Sequence, residues 1–411
     1  MENQLRLSAE LSFPELRSAQ KKIVHLVEFR GYDTINIDFS DTEICFADVM
    51  LPLVMFVSKY REQGVTFSLT MPKNTKLSKL FSNTNWAHYI SPKNFARRDR
   101  EIGGNLPVRF FRDLDEQTQV VNEIVKNTLL TLSWLERSHL RALEWSLNEI
   151  IDNALTHSES DVGGAVQVSV HPNTRDIEFV VSDAGIGIPN SLRTAFPHIE
   201  SDVIALDHAI KEGVTRGTGQ GNGLFGSSQI SAISGGRFHI NSGEAFLLIS
   251  KNGVSRRERQ LPAICGSTVL CTINAATPLL LESALKISGR PFNPADTLEI
   301  EYDTDETTVP FNLSTEARSF GSRMEGSRIR QRIETLLRSF PERKIIVDAN
   351  GAGVFSSSFA DELFAKLLIS LEQSHEESRL ITRNIAPINQ MLISRSIEQR
   401  RREIAAKSSS D

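Results

Sequence analysis

The sequence predicts a multidomain protein in which a central α+β domain lies between two small α/β domains. The length of 411 residues favours roughly two or three domains. Strand and helix patterns alternate near both ends of the chain, whereas the middle changes from helical periodicity to period-two strands joined by glycine-rich turns. We expect domains over residues 1–105, 112–276 and 290–395, followed by a polar tail at 396–411.

Strand and helix patterns alternate in the first block. TINIDFS (34–40) has the alternation of a strand, and FADVMLPLVMFVSKYREQG (46–64) is apolar at helical spacing and ends at a glycine. VTFSLTMP (65–72) and KLSKLFSNTNW (76–86) repeat the strand and the helix. This order of elements favours a small domain with parallel strands.

The central block begins with two helical patterns, one over 115–135 and one ending in NEIIDNALTHS. AVQVSVH (165–171) and DIEFVVSDAG (176–185) predict a hairpin about a PNT turn. A helical stretch around 190–212 leads to the glycine-rich TRGTGQGNGLFG, and three further strands are predicted at RFHINSG, EAFLLIS and STVLCTI. Helices and an antiparallel or mixed sheet indicate an α+β sandwich.

The third block repeats the plan of the first. RIRQRIETLLRSF (328–340) is amphipathic, KIIVDAN (344–350) is a buried type of strand, and SSSFADELFAKLLISL (356–371) is a helix. FADV and FADE occur near equivalent helix starts in the two blocks, which favours a duplicated fold. The basic and polar segment after Ser396 is typical of a solvated helix end.

Composition and charge exclude several classes of protein. A formal net charge of -5 gives no basic field, so we expect no direct nucleic-acid binding. The longest apolar run, ICFADVMLPLVMFV, is too short to cross a bilayer, and the N-terminus lacks a secretory pattern. The three cysteines, Cys45, Cys265 and Cys271, show no metal-ligand spacing. We therefore expect a cytoplasmic protein with reduced thiols and no membrane partner.

A polar stripe lies on the helix that contains NEIIDNALTHS. Glu149, Asn153 and His157 follow one another at intervals that place them on one side of a helix. A carboxylate can deprotonate a water or a hydroxyl, an amide oxygen suits Mg²⁺, and an imidazole can bind a phosphate. Taken alone, the stripe is more typical of a solvated helix flank.

Two glycine-rich motifs follow. In VVSDAGIGIP, Asp183 ends a strand and could accept a hydrogen bond from an exocyclic amine, although a plain tight turn would give the same pattern. GTGQGNGLFG (217–226) leads into a predicted helix, and backbone N–H groups there suit a polyphosphate. A dinucleotide fingerprint fits poorly because no strand precedes these glycines, and no P-loop motif is present.

Over residues 115–275 these motifs together resemble the GHKL (Bergerat-fold) ATPases, which include gyrase B, heat-shock chaperones, mismatch-repair ATPases, and histidine and anti-sigma serine kinases. The family motif E-x-x-x-N-A-x-x-H/K is matched by the stripe, with Ala154 after the asparagine. The D-x-G-x-G box is matched by Asp183, Gly185 and Gly187. The remaining matches are the G-x-G lid and the later strand start: Gly219, Gly221, Gly223 and Leu224, then Gly266, Ser267 and Thr268.

The resemblance implies ATP and Mg²⁺ as ligands. It implies that Glu149 is the general base, that Asn153 binds the metal ion and that His157 contacts a phosphate. Asp183 would bind adenine, the lid glycines would cover the phosphates, and Thr268 would line the adenine pocket. Arg216 would either reach the γ-phosphate or be an ordinary surface arginine.

His139 and the flanking blocks help to decide which class of GHKL protein this chain resembles. His139 lies in the same predicted helix as Glu149, which argues against a phosphoacceptor histidine. VDANGAGVFSSSFADELFAKLL (347–368) resembles a STAS-like domain, the fold of anti-sigma factor antagonists, whose helix-start serine is phosphorylated. Ser357 is the candidate acceptor, and helix capping by one of the three serines is the alternative. The first block resembles a degenerate STAS domain whose corresponding loop, DTEICFAD, lacks a serine.

These resemblances imply an ATP-binding switch protein with a regulatory protein partner. ATP would be hydrolysed, or its phosphoryl group transferred to serine, in a pathway of the partner-switching type. The alternative is a conformational ATPase or a nucleotide sensor whose STAS-like domains only bind partners. GHKL modules often dimerise, so a homodimer is a further expectation by analogy.

Overall fold

The computed structural model describes most of the chain as two compact units. The first unit comprises Met1–Asn127 and Ser138–Pro294, and the second comprises Thr128–Arg137 and Ala295–Asp411. In the described residues, no helix has the length and apolar character needed to cross a membrane. The described residues are 3–98, 105–132, 135–214, 222–276, 278, 281–287, 290–291, 307–317 and 319–408.

The N-terminal part of the first unit is a three-stranded parallel sheet of order β1-β2-β3, with helices between and after the strands. The strands and helices predicted between residues 34 and 86 are confirmed, each within a few residues of its expected bounds. Helix α1 continues into a π-helical turn at His25–Phe29. The elements are β1 (Gln4–Arg6), α1 (Phe13–Val24), β2 (Thr34–Asp38), α2 (Ala47–Glu62), β3 (Thr66–Thr70), α3 (Thr75–Asn83) and α4 (Trp86–Ile90).

The rest of the first unit is built on a seven-stranded antiparallel sheet of order β4-β5-β6-β10-β7-β8-β9. Its elements are β4 (Leu106–Phe111), α5 (Leu114–Thr131), α6 (Arg137–His157), β5 (Gly164–His171), β6 (Asp176–Asp183), α7 (Ile188–Ala195), α8 (Asp202–Ala209), α9 (Gly223–Ser234), β7 (Arg237–Gly243), β8 (Ala245–Ser250), β9 (Gly253–Arg257) and β10 (Ile264–Asn274). A short helix α10 (Leu281–Ala284) and the paired β11 (Lys286–Ile287) and β12 (Arg290–Pro291) follow.

Three features of this sheet domain differ from the sequence prediction. Strand β9 was not predicted because all of its residues are exposed, so it has no alternation of buried and exposed positions. Strand β4 was not predicted because LPVRFF is a short, largely apolar run without strict alternation, and such a run does not distinguish a strand from part of a buried helix. The single helix expected around 190–212 is two helices, since Pro197 lies between them and cannot continue a helix.

The two faces of the central sheet pack against different parts of the molecule. Val180 of β6 pairs with Leu270 of β10, and both belong to a hydrophobic core shared with the N-terminal domain. The next pair along the strands, Val181 with Val269, lines a cavity on the opposite face. Alternate residues of a strand point to opposite faces, so one strand pair serves both layers.

Helix α2 is the layer between the two sheets of the first unit. It packs against β3 on one side and against β5, β6 and β10 on the other. Every residue from Val49 to Ser58 is buried, which explains the long apolar run noted in the sequence. A helix that is apolar all round is buried all round, and here the second surface that buries it is the central sheet.

Polar side chains also join the N-terminal domain to the central sheet. Trp86 Nε1 donates to Gln167 Oε1 at 2.7 Å, and Gln20 Oε1 accepts from the backbone N–H of Cys265 at 3.0 Å. Arg17 is 1 % exposed and donates to several groups around the turn between β7 and β8. The N-terminal domain and the sheet therefore form one packed body rather than two modules on a linker.

The second unit contains another three-stranded parallel sheet, of order β13-β14-β15. Its order of strands and helices is the same as that of the N-terminal domain, as the FADV and FADE segments suggested. Residues 396–408, predicted as a polar tail, continue α15, and Arg400 forms an ion pair with Asp361. The elements are β13 (Thr308–Asn312), α11 (Leu313–Glu316), α12 (Arg323–Ser339), β14 (Lys344–Asp348), α13 (Ser357–Ala360), a π-helical turn (Asp361–Ala365), α14 (Lys366–Gln373), β15 (Leu380–Arg383) and α15 (Pro387–Ser408).

Candidate nucleotide-binding site

One cavity brings together residues from most of the predicted motifs. Helices α6, α7, α8 and α9 and strands β6 and β10 contribute to its wall. Its polar side chains include four candidates named from the sequence, Glu149, Asn153, His157 and Asp183. The apolar part of the wall comes from Ile150, Ala154, Val181, Ile188, Leu192, Ala209, Val214, Leu224 and Val269.

The stripe on α6 faces this cavity and is not a solvated flank. Glu149, Asn153 and His157 are each half-buried at its edge. The neighbouring Ile150 and Ile151 are 1 % and 0 % exposed and anchor the helix in the core. Because the helix is fixed by these residues, the three polar groups are held in one line along the cavity.

Glu149 lies at the point where α6 meets the start of α9. A Cβ at Gly223 would lie 2.5 Å from Glu149 Oε2 and 3.0 Å from Glu149 Cβ, so any larger residue there would displace the Glu149 side chain. Burial raises the pKa of the Glu149 carboxyl above its ordinary value, and the nearby Asp152 carboxylate raises it further. A carboxylate with a raised pKa beside a ligand cavity is suited to accept a proton.

Asp183 is held at the end of β6 with one carboxylate oxygen bonded and the other available. Asp183 Oδ1 accepts from the backbone N–H groups of Gly185 at 2.9 Å and Ser267 at 3.3 Å. Among the described residues, Oδ2 has no hydrogen-bond donor. Burial raises the pKa of Asp183 to about 7, against the opposing effects of these two N–H groups and of the Lys59 charge. The residue can therefore accept from a ligand donor in the cavity when it is ionised.

The glycines of the D-x-G-x-G segment are required by close contacts and by backbone conformation. A Cβ at Gly185 would overlap the carbonyl oxygen of Ser158. Gly187 has a φ of +82° at the residue before α7, a region that favours glycine. The backbone N–H of Ile186 donates to Ser158 O at 2.8 Å, so this turn is bonded to the end of α6.

Only part of the glycine-rich lid motif falls within the described residues. Gly223 and Leu224 open α9 and line the cavity. Gly219 and Gly221, together with Arg216, lie outside the described residues. Asn222 Oδ1 accepts from the backbone N–H of Gly213 at 3.0 Å.

Thr268 is on the face of β10 opposite to the one expected. Its neighbours Ser267 and Val269 line the cavity, whereas Thr268 Oγ1 lies 3.0 Å from Ser182 Oγ and is fully buried. Thr268 pairs with Ser182, and this pair has the same orientation as Val180 and Leu270. The register of β10 thus makes Ser267 the motif residue at the cavity.

The sequence predicted a helical stretch around 190–212, but not that α7 and α8 would form part of the cavity wall. Ser191 and Leu192 of α7 and Ala209 of α8 line the cavity with Val214. The same two helices share a small core that includes Leu192, Ile199 and Ala209. The apolar spacing that indicated this helical stretch does not show which surface of the protein it covers.

The donor set fits a magnesium nucleotide. Within the described residues, neither the Glu149 carboxylate nor the Asn153 amide has a hydrogen-bond partner, although both line the cavity. The described part of the chain contains no group of three or more His, Cys, Asp and Glu side chains that could hold a metal ion. Mg²⁺ commonly uses one or two protein oxygens together with substrate phosphates and water, which matches a single amide oxygen here.

Comparison with known families gives two matches. Residues 139–273 match the family described as histidine kinase-, DNA gyrase B-, and HSP90-like ATPase. The chain contains a GHKL-like ATPase domain. Residues 325–390 match a STAS-like domain of unknown function. A search of curated proteins finds no match to the chain.

The matched GHKL-like ATPase domain contains the motif residues of the cavity, from Glu149 on α6 to Ser267 on β10. A domain of this family indicates ATP binding, and a STAS-like domain indicates a regulatory role through protein interaction. The anti-sigma style of the ATPase and the STAS character of the N-terminal domain go beyond these matches.

The serines of the STAS-like domain have distinct environments. Ser356 is the N-cap of α13, and its Oγ accepts from the backbone N–H of Phe359 at 3.0 Å. Ser358 Oγ lies 3.0 Å from Ser356 Oγ. Ser357 is exposed, and its hydroxyl makes no hydrogen bond within the described residues. Capping therefore accounts for Ser356 and leaves Ser357 without a structural role.

His139 is in a different environment from an accessible phosphoacceptor. It lies on α6 and is 1 % exposed. An imidazole that accepts a phosphoryl group must reach the γ-phosphate of a bound nucleotide. Burial within the helix that carries Glu149 prevents this, in agreement with the sequence argument.

Proposed function

We propose that this protein is a Mg-ATP-dependent regulatory switch that transfers the γ-phosphoryl group of ATP to a serine of a STAS-like domain. The observation that carries the proposal is the single cavity that contains Glu149, Asn153, His157 and Asp183. These residues match the GHKL motifs in kind and order. Residues outside the cavity do not enter the nucleotide-binding part of the proposal.

The residues divide into an adenine end and a phosphate end. Asp183 accepts from the adenine amine through Oδ2, and Ser267, Val181 and Val269 surround the base. Asn153 supplies an oxygen for Mg²⁺, and His157 binds a phosphate oxygen. When bound, the metal ion neutralises charge on the phosphates. The backbone of Gly223 and Leu224, at the start of α9, contacts the phosphates.

Glu149 acts as the general base. It removes the proton from a serine hydroxyl whose oxygen forms a bond to the γ-phosphorus. The bond between the γ-phosphorus and the β,γ-bridging oxygen breaks, and ADP leaves with the electron pair. With water in place of serine, the same steps release inorganic phosphate. Burial moves the pKa of Glu149 toward neutral pH, and a general base is most effective when its pKa is near the pH at which it works.

Ser357 is the acceptor that the geometry favours. It is exposed at the first turn of α13, where the helix dipole stabilises an added phosphate. The two acidic residues that follow are already paired, Asp361 with Arg400 and Glu362 with Lys366. Paired carboxylates repel an incoming phosphate less than unpaired ones would.

The N-terminal domain is proposed as a second, degenerate STAS-like domain. It shares the order of strands and helices of the matched domain, but its loop at 41–48 contains no serine. We assign it a binding role only. A cytoplasmic protein partner and a homodimer belong to the same proposal, by analogy with other GHKL proteins.

A conformational ATPase is the second candidate function. The half-buried Glu149 can activate water as well as a hydroxyl, and this alone supports hydrolysis. In this case the STAS-like domain binds a partner without being modified. A nucleotide sensor would bind ATP and release no phosphate.

Incubation with Mg-ATP separates these functions. Phosphate release and phosphopeptides over residues 356–358 are measured on the same sample. Phosphoserine supports the transferase, phosphate release without phosphoserine supports the ATPase, and binding without either supports the sensor. Absence of ATP binding would overturn the proposal as a whole.

Alanine substitutions at Ser357 and Ser356 are expected to affect different properties: the first removes the phosphorylation, and the second lowers the stability. Ser357→Ala removes the phosphopeptide and leaves the free energy of unfolding within about 0.5 kcal/mol, because the side chain makes no contact that folding requires. Ser356→Ala removes the N-cap and lowers the stability of the second unit by about 1 kcal/mol. Phosphopeptide mass spectrometry and thermal unfolding measure the two effects. An unchanged amount of phosphate on the Ser357→Ala protein excludes this acceptor.

A further inference from the structure

The N-terminal domain contributes a cation to the back of the nucleotide site. Lys59 projects from the last turn of α2, and its Nζ donates to the backbone carbonyl of Ala184 at 3.3 Å. Ala184 directly follows Asp183, the candidate adenine residue. Lys59 Nζ also lies 3.7 Å from Cys265 Sγ, which itself donates to Ala184 O at 3.5 Å.

Among the residues that the structure describes, no acidic side chain other than Asp183 is a partner for the charge of Lys59. Within the described residues, Lys59 forms no salt bridge, although α2 ends only a few residues later with the exposed Glu62. The ammonium group is half-buried at the contact between α2 and the central sheet. A half-buried cation without a carboxylate partner is costly unless a nearby negative charge compensates it. Asp183 is the acidic group on which its charge acts.

We propose that Lys59 is a positioning residue of the nucleotide site, which holds the turn after β6 and places a positive charge behind the Asp183 carboxylate that recognises adenine. The proposal rests on the assignment of Asp183 to adenine under the proposed function. Lys59 does not line the cavity and touches no ligand, so it acts only through Asp183 and Ala184. The N-terminal domain thereby takes part in nucleotide binding by the ATPase domain.

The titration of Asp183 gives the proposal a measurable sign. Burial raises the pKa of Asp183 to about 7, and the Lys59 charge opposes this rise. Removing the charge raises the pKa further, so a smaller fraction of Asp183 is ionised at neutral pH. The loss of affinity is therefore greatest at low pH and disappears once the pH exceeds the new pKa. The titratable groups around Asp183 are Lys59 on α2, Cys265 on β10, and Glu149, Asp152 and His157 on α6.

The test uses the full-length protein and three substitutions. Lys59→Met removes the charge and keeps the apolar stem, whereas Lys59→Arg keeps the charge. Lys73→Met is the matched control, because Lys73 is an exposed lysine of the same domain and forms an ion pair with Asp41. Affinity for ATP with saturating Mg²⁺ is measured by calorimetry from about pH 6 to about pH 8.5, which brackets the wild-type pKa. The same titrations use purine riboside triphosphate, which lacks the 6-amino group.

Lys59→Met is expected to weaken ATP binding roughly fivefold at pH 7 and roughly tenfold at pH 6, the loss that follows if the pKa of Asp183 rises by about one unit. The loss shrinks at the highest pH, and the preference for ATP over the purine analogue falls. Lys59→Arg restores both properties, and Lys73→Met changes neither. Ionisation of the nucleotide is common to all variants and cancels in the comparison.

Two results overturn the inference while leaving the proposed function intact. One is ATP affinity and a pH profile in Lys59→Met equal to those of the wild type. The other is an equal loss for ATP and for the purine analogue at every pH, which indicates a purely structural role. If the wild-type protein binds neither nucleotide, the proposed function itself fails.

Discussion

Glu149→Gln is expected to lower ATP turnover by at least about 100-fold, because general-base catalysis typically contributes this much and the amide cannot accept a proton. ATP affinity is expected to change by less than about threefold, a difference of under 1 kcal/mol. The amide has nearly the same volume as the carboxylate, so the contact with Gly223 is retained. Asn153, Asp183 and the rest of the cavity are unchanged, and under the proposed function these residues bind the nucleotide.

Single-turnover phosphate release and ATP calorimetry measure the two halves of this prediction. Glu258→Gln is the matched control, since Glu258 is an exposed carboxylate in the segment after β9 and does not line the cavity. Turnover in the control should equal that of the wild type. Full turnover in Glu149→Gln would assign the base to another group, and loss of ATP binding would assign Glu149 a structural role.

Arg17→Ala is expected to lower the free energy of unfolding of the first unit by about 3 to 5 kcal/mol. Arg17 Nη1 donates to the carbonyls of Gly243 and Gln260, each at 2.7 Å, and of Pro262 at 2.9 Å. Its Nη2 donates to Asn241 Oδ1 at 2.6 Å. Burial lowers the pKa of Arg17 to about 10, so the group is still charged at neutral pH. Truncation leaves three partly buried carbonyls and the buried Asn241 side chain without their donor.

Arg6→Ala provides the contrast on the same domain. Arg6 is largely exposed and pairs with the exposed Asp41, and such surface pairs contribute at most about 1 kcal/mol. Urea unfolding followed by hydrogen exchange of β7 and β10 measures the stability of the first unit in both variants. Similar stabilities for Arg17→Ala and Arg6→Ala would contradict the single packed body described above, as would separate unfolding of the N-terminal domain in the wild type.

Local patterns predicted most of the individual elements because their periods are set by short-range geometry. The stripe of Glu149, Asn153 and His157 could be predicted from the sequence because a helix places residues four apart on one side. The first strand of the hairpin was predictable because apolar and polar residues alternate along AVQVSVH, although nearly all residues of β5 and β6 are buried in the structure. Strand β9 was missed because an exposed edge strand carries no such alternation.

The sequence did not predict toward which face of the sheet each side chain of a motif points. The G-S-T start of β10 predicted a residue at the adenine pocket but not which one. The register of β10 with β6 turns Thr268 toward the N-terminal domain and Ser267 toward the cavity. Alternation along a strand shows which residues share a face, but only the packing of the sheet decides which neighbour each face contacts.

The sequence by itself determined the chemistry of the site: an acid, an amide and an imidazole on one helix, an aspartate at a strand end, and glycines at the turns. The tertiary structure decided what lies behind that site. The sequence predicted α2 from apolar residues at helical spacing, but not that the helix is buried all round, nor that its second surface packs on the face of the sheet opposite the cavity. That packing is a long-range arrangement, and it places Lys59 next to the turn that carries Asp183.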